Sequence, residues 1–201
     1  MYTAPHFRPT SIDEAFAVVE AHPFALLVSQ ADGRPLASHT PMLADGSEWL
    51  IGHLARANPQ WRSLDGQDVL CVFSGPHAHV TPTWYASGPA VPTWDYVAAH
   101  VHGRAELLGE PGEVEAALRR LTGFFEGAGW RFDDQPADYL AGMMKGVVAF
   151  RVRVEGIQAN LKLSQNRSVE DRAGIVRGLR ARQMPGDREI ARLVEARESP
   201  G

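Results

Sequence analysis

Apolar positions in this chain follow two periods, and the period changes along its length. Near the start, Ile12, Ala15, Phe16 and Val19 recur at helical spacing. They follow Ser11-Ile12-Asp13-Glu14, a capping box in which the serine hydroxyl takes the N3 backbone N–H and Glu14 reaches back to the cap. Pro23 stops that helix. Short apolar segments of strand length come next, at residues 24–29, 35–43, 48–54 and 69–74. They are separated by Ala31-Asp32-Gly33-Arg34, by Asp45-Gly46 and by a stretch around Asn58-Pro59. Turn chemistry at such short intervals predicts antiparallel meander pairing, because parallel strands need longer crossovers. Two further runs read as strands: residues 95–108, and 147–154, where Phe150, Val152 and Val154 alternate with Arg151, Arg153 and Glu155. Helical spacing returns at 113–125 and, behind Pro136, at 137–144. The tail adds helices at 169–182, capped by Ser168, and at 188–197, capped by Asp187.

Six or seven strands with helices inserted late make an α+β protein, and a small closed barrel is the economical way to remove sheet edges. The expectation is one domain over residues 1–201, with a barrel and inserted helices over 1–161 and a loop with helices over 162–201. The stretch 158–166 is the single linker candidate.

Composition narrows the class. The chain has 201 residues, 44% apolar and 22% charged, which excludes a disordered or fibrous protein. A net charge of −4 excludes a wholesale basic surface. The charge is uneven, however: from Lys162 onward it is +3, leaving −7 for the rest. Cys71 is the single cysteine and cannot close an intrachain disulfide. With no basic-then-apolar leader pattern and no window near the ~18 apolar residues of a membrane span, the expectation is a cytoplasmic protein with no membrane partner.

The common cofactor and hydrolase motifs are missing: no G-x-G-x-x-G, no P-loop, no H-E-x-x-H, no paired C-x-x-C and no G-x-S-x-G. A nucleotide-like ligand would therefore have to be held by side chains. Three clusters offer them. Gly52-His53-Leu54-Ala55-Arg56-Ala57-Asn58-Pro59-Gln60-Trp61 crowds a guanidinium, an amide and an imidazole onto a strand-to-helix turn, which suits a phosphate. The same residues also describe a plain turn in which Asn58 caps, Pro59 takes N1 and Arg56 is solvated. Residues 73–85 with Val91-Pro92-Thr93-Trp94-Asp95-Tyr96 form a stiff aromatic stretch, either a wall for a planar ligand or partner, or a small core under a long loop. Lys162-Leu163-Ser164-Gln165-Asn166-Arg167 is a polar run before the Ser168 cap, fit for an anion or a heterocycle edge, or simply a pre-helix loop. The pairs His77/His79 and His100/His102 share strand faces, but nothing nearby completes a metal's ligand set, so no metal is expected.

These runs, with Met1-Tyr2 and Phe7-Arg8, resemble the PaiB-type FMN-binding negative transcriptional regulators, in order and over nearly the whole chain. More distantly the family resembles the split-barrel flavoproteins that include pyridoxamine phosphate oxidases and flavin reductases. The resemblance implies a six-stranded antiparallel split β-barrel with flanking helices and a helical C-terminal tail, a homodimer, and FMN bound at the dimer interface. Ser38 and His39 would lie on the strand lining the flavin, Arg56 and Asn58 at its phosphate, and Lys162 to Arg167 in a loop closing over the site. The candidate cofactor set is thus Ser38, His39, His53, Arg56, Asn58, Trp61, Trp94, Lys162, Ser164, Gln165, Asn166 and Arg167. Asp95 stands where the family pattern leads one to expect Asn, and His79 and Thr81 replace Tyr and Ser.

The function implied is FMN binding with a regulatory role and no assigned catalytic residue. The alternative is an FMN-dependent oxidoreductase with His53, His100 or Tyr96 near flavin N5. Direct DNA contact through Arg167, Arg172, Arg177, Arg180 and Arg182 has little support from a +3 tail without a helix-turn-helix pattern. In the last helix, Glu189/Arg192 and Arg192/Glu195 have the spacing for surface pairs.

Overall fold

Six strands carry the described fold: β1 (Phe24–Ala31), β2 (Arg34–Asp45), β3 (Trp49–Ala55), β4 (Asp68–Val80), β5 (Thr93–Leu107) and β6 (Val147–Lys162), with burial alternating most regularly in β1, β3, β4 and β5. The computed structural model describes residues 1–127 and 129–197. Hairpins join β1 to β2 and β2 to β3, and β3 pairs with β6. The order β1-β2-β3-β6-β5-β4 closes on itself through Leu26↔Val72, Leu27↔Cys71 and Val28↔Leu70. A short sheet with one apolar face buries it and loses both exposed edges by closing. Among the described residues the α-helices are α1 (Ile12–Ala21), α2 (Pro111–Glu126), α3 (Ala137–Met144), α4 (Val169–Arg182) and α5 (Asp187–Ala196). Among the described residues no helix is long and apolar enough to cross a membrane.

Two compact units divide the chain. The barrel unit takes Val19–Phe73 and His100–Ile157. Its core is built from alternate strand residues, including Leu27, Met42, Leu50, Cys71, Phe73, Phe150 and Val152, all fully buried. Burial pushes the Cys71 thiol up to about 12, so it behaves as a small inert hydrophobe. Gly52 on β3 faces this core because the Phe150 ring fills the space: a Cβ there would lie 2.8 Å from Phe150 Cζ and 3.1 Å from Met42 Cγ.

The helical unit takes Met1–Val18, Ser74–Ala99 and Gln158–Gly201. α4 and α5 pack through Ile175, Val176 and Leu179 and through Ile190, Ala191 and Val194. Trp84 lies on α4 where two glycines leave room, since a Cβ on Gly178 would come within 2.2 Å of its ring. Asp171 of α4 accepts the backbone N–H groups of Ala86 and Ser87 and the Ser87 hydroxyl, and these hydrogen bonds, the hydroxyl's first, hold its carboxyl below the usual range. Arg172 donates to the carbonyls of Val194 and Arg197, Arg180 pairs with Glu195, and Arg182 binds Asp187. Three of the tail's arginines therefore work inside the α4–α5 pair.

Several boundaries differ from the sequence expectation. β4 continues to Val80 through Gly75-Pro76, and β6 continues through Gly156 to Lys162, taking in most of the expected linker. Gly and Pro usually punctuate, but a strand tolerates proline where no ladder N–H is needed. The Ser11 hydroxyl accepts the Glu14 N–H as expected, whereas Glu14 reaches the N–H of Thr10, one residue earlier than its cap. Asp187 is the first residue of α5 rather than its cap, and its carboxylate accepts from Met184 N–H and Arg182. Glu195 takes Arg180 of the neighbouring helix in place of Arg192.

Candidate functional site

The Arg56 turn follows β3 in the barrel unit. Asn58 caps the 3-10 turn Pro59–Ser63, its Oδ1 accepting the Gln60 N–H at 3.0 Å, with Pro59 at N1. Its Nδ2 meanwhile donates to Ser38 Oγ at 2.7 Å, tying the turn to β2. Gln60 locks the turn from beneath: it is buried and its Nε2 donates to Leu27 O at 3.1 Å and Ser29 Oγ at 2.9 Å. Arg56 points elsewhere. Its Nε and Nη2 donate to the carbonyls of Lys145 and Val147 at 2.7 and 2.9 Å. The guanidinium lies 5.7 Å from the Trp61 ring, and the Trp61 indole N–H donates to Arg56 O at 2.8 Å. Arg56 and Asn58 share one turn but brace different neighbours.

Ser38 and His39 are successive on β2 and so face opposite sides of the sheet. Ser38 meets Asn58, while exposed His39 stacks on Phe24 with ring centroids 5.8 Å apart. A ligand on one face meets one of them. His53, on β3, carries a buried Nδ1 that has no hydrogen-bond partner among the described residues, and burial lowers its pKa, so the ring is neutral near pH 7.

The Lys162 loop lies in the helical unit, and its polar atoms are mostly committed. Ser164 stands at φ +57°, a left-handed position that a serine holds only with help, and its hydroxyl donates to Asp95 Oδ2 at 2.6 Å. Gln165 is buried and closes the turn on itself: its Oε1 accepts the Leu163 N–H at 2.8 Å and its Nε2 donates to Leu161 O. Lys162 Nζ donates to Thr93 Oγ1 and Trp94 O. Asn166 is exposed, and Arg167 lies 4.5 Å from the Tyr85 ring. Trp94 is half-exposed, its ring 6.0 and 5.6 Å from those of His77 and His79.

Asp95 is the residue that the sequence undervalued. It is fully buried, and burial raises its pKa to about 6 against the Ser164 hydrogen bond and the nearby Lys162 and Arg167 charges. Among the described residues its Oδ1 has no hydrogen-bond partner, nor does Oδ1 of buried Asn160, whose Nδ2 donates to Tyr96 OH at 2.7 Å. One acid amid Trp94 and Tyr96 was the available signal. Gln60 and Asn160 gave none, since a lone amide in a polar or apolar run is unremarked until its burial is known. Among the described residues no group of three or more His, Cys, Asp or Glu could hold a metal ion.

Comparison with known proteins settles the family. The family model described as "Putative FMN-binding domain" matches residues 1–156. The chain belongs to this PaiB-type FMN-binding family. It is 34% identical over 206 residues to "Protease synthase and sporulation protein PAI 2" of Bacillus subtilis, covering 97% of each chain. An uncharacterised protein of Aspergillus fumigatus is 29% identical over 188 residues, 74% of this chain and 72% of its own. Among solved structures, the flavocytochrome Anf3 of Azotobacter vinelandii superposes with a TM-score of 0.64 at 17% identity, over 83% of this chain and 75% of that one. The FAD and heme binding protein of Mycobacterium smegmatis gives 0.63 at 18%, over 77% and 73%. Identities this low speak to the fold, which is the six-stranded split barrel with flanking helices. The cofactor of the family is FMN.

The residues present suit that group. FMN lacks a glycine-rich cradle here and needs cationic and amide donors for its phosphate and polar partners at the edge of a flat ring. In the barrel unit the Ser38 hydroxyl, the Asn58 amide and Arg56 are donors and His53 Nδ1 is buried; in the helical unit Arg167 is a donor and Asp95 Oδ1 and Asn160 Oδ1 are buried, and among the described residues none of these three buried atoms has a hydrogen-bond partner.

Proposed function

We propose that this chain is a single-domain, homodimeric FMN-binding protein with a regulatory role of the PaiB type. The observation that carries this reading is the family match across residues 1–156, extended by the relative that covers 97% of the chain. In the proposed site Arg56, Asn58 and Ser38 take phosphate and ribityl oxygens in the barrel unit, with His53 and Trp61 beside them and His39 on the outer face. Lys162, Ser164, Gln165, Asn166 and Arg167 form the second loop, where Asn166 and Arg167 touch the ligand and Ser164 and Gln165 hold the loop's shape. Trp94 offers a flat apolar wall for the isoalloxazine ring. Regulation proceeds without broad DNA contact, because three of the tail's arginines are taken up within the helix pair and the chain is acidic. The cytoplasm is the proposed location.

Purified protein should be yellow, or should take up FMN with a saturable rise in melting temperature and a dimer's mass in solution. A colourless protein whose melting temperature ignores FMN ends this reading. The second reading, an FMN-dependent oxidoreductase, draws on the neutral, buried and unpartnered His53 Nδ1, which is placed to accept a proton. Anaerobic mixing of FMN-loaded protein with NADH or NADPH tests it: bleaching of the flavin favours the enzyme, and an unchanged spectrum removes its simplest form.

A further inference from the structure

A cleft of about 550 Å³ opens in the barrel unit where the end of β5 and the start of α2 meet the end of α3 and the start of β6. Its walls are apolar, with Leu107, Leu108, Val114, Met144 and Val148 among them. Arg56 and Lys145 line it, and among the described residues no carboxylate does, although the whole chain is acidic. α3 forms part of the wall, yet none of its eight residues, Ala-Asp-Tyr-Leu-Ala-Gly-Met-Met, is buried. A mostly apolar helix gains its stability by burying a face, so this one leaves that gain uncollected.

The cation at the cleft is held in advance. Two carbonyls and the Trp61 ring fix the Arg56 guanidinium, and those bonds use Nε and Nη2. Among the described residues Nη1 has no hydrogen-bond partner, and Lys145 makes no ion pair. Cations beside apolar surface favour an anion that brings its own apolar body, because it covers the walls and neutralises the rim in one event. A neutral apolar ligand leaves the cations unmatched, and a hydrophilic anion leaves the walls wet. FMN itself presents ribityl hydroxyls and a heterocycle edge for which these apolar walls offer few partners.

We propose that this cleft binds a small amphipathic organic acid, its chain or single ring against Leu107, Val114, Met144 and Val148 and its carboxylate on Arg56 and Lys145. The cleft shares Arg56 and Trp61 with the turn proposed for the flavin, but the apolar walls that select octanoate do not depend on the flavin reading. Arg56 belongs to both proposals, so the test leaves it intact.

The probe is octanoate on the full-length protein, with octan-1-ol as its neutral match, followed by calorimetry and thermal melting. Octanoate should bind saturably and raise the melting temperature, and octanol at equal concentration should not. Ala141→Trp fills the cleft from an exposed position on α3, so the core is untouched and binding should vanish. Lys145→Gln should weaken octanoate on the order of tenfold, the loss of one charge-assisted contact. FMN titration of Ala141→Trp should match the parent protein. Equal stabilisation by octanol or undiminished binding in Ala141→Trp would each overturn the proposal. If octanoate behaves as expected and FMN fails to bind the parent protein, the flavin reading falls and the cleft stands.

Discussion

Two polar turns, Arg56–Trp61 in the barrel unit and Lys162–Arg167 in the helical unit, look alike as strings of cations, amides and hydroxyls. Their structures use those groups in opposite ways. In the first, Asn58 is half-buried and spends one oxygen on a cap, while Ser38 only accepts from it, leaving the serine proton and Arg56 Nη1 for a ligand. In the second, Ser164 and Gln165 are almost fully buried, and their polar atoms close on Asp95, Leu163 and Leu161. Burial makes the difference, because a polar atom cut off from water must find its partner inside the protein. A loop rich in donors is a ligand loop only to the extent that the fold leaves those donors unspent.

The sharpest way to break this contrast is to remove a group from each turn. Gln165→Ala strands a buried N–H and a buried carbonyl and should cost about 2–4 kcal/mol of stability. Asn58→Ala loses a cap and the link to Ser38 and should cost about 1–2 kcal/mol. Equal losses in urea unfolding would mean that the two turns are built alike after all.

The pH dependence separates the units next. Asp95 titrates near 6 when folded and near its ordinary 3.8 when unfolded, so the folded state holds the proton more tightly. Its contribution is therefore fully present below about 4 and lost as pH rises through about 6, and Asp95→Asn should flatten that fall. His53 slopes the other way: burial depresses it, so its contribution is present above the ordinary 6.5 and lost as pH falls below that value. Unfolding free energies of the parent, Asp95→Asn and His53→Gln proteins between pH 4 and 8 would show whether the opposed slopes belong to these residues.

The smallest effect on stability and the most telling for function comes from Arg167→Gln. It should weaken FMN by roughly tenfold while moving the melting temperature little, as expected for a half-buried cation over an aromatic ring. Ser164→Ala should do the reverse, lowering stability first. If Arg167→Gln leaves FMN affinity unchanged, the second loop has no part in the flavin site.

Much of this architecture was readable in advance. The limits of α3 and α4, the Ser168 cap, the Asn58 cap with Pro59 behind it and the meander of β1 to β3 all follow from local chemistry. The ends of β4 and β6 were not, because Gly75-Pro76 and Gly156 look like turns until the ladder carries on past them. In the candidate site, residue types were legible and their employment was not: Arg56 turns to the carbonyls of Lys145 and Val147, some 90 positions away along the chain.

The sequence by itself determined the elements, the meander order and the family, since period, caps and motif runs are short-range properties of the chain. Only the tertiary structure decided which donors are spent and which remain. Asp95 meets Ser164 across 69 positions, and Asn58 meets Ser38 across 20. Such pairings exist once closure of the barrel and packing of the helices have removed water from around them, and no local pattern records that event.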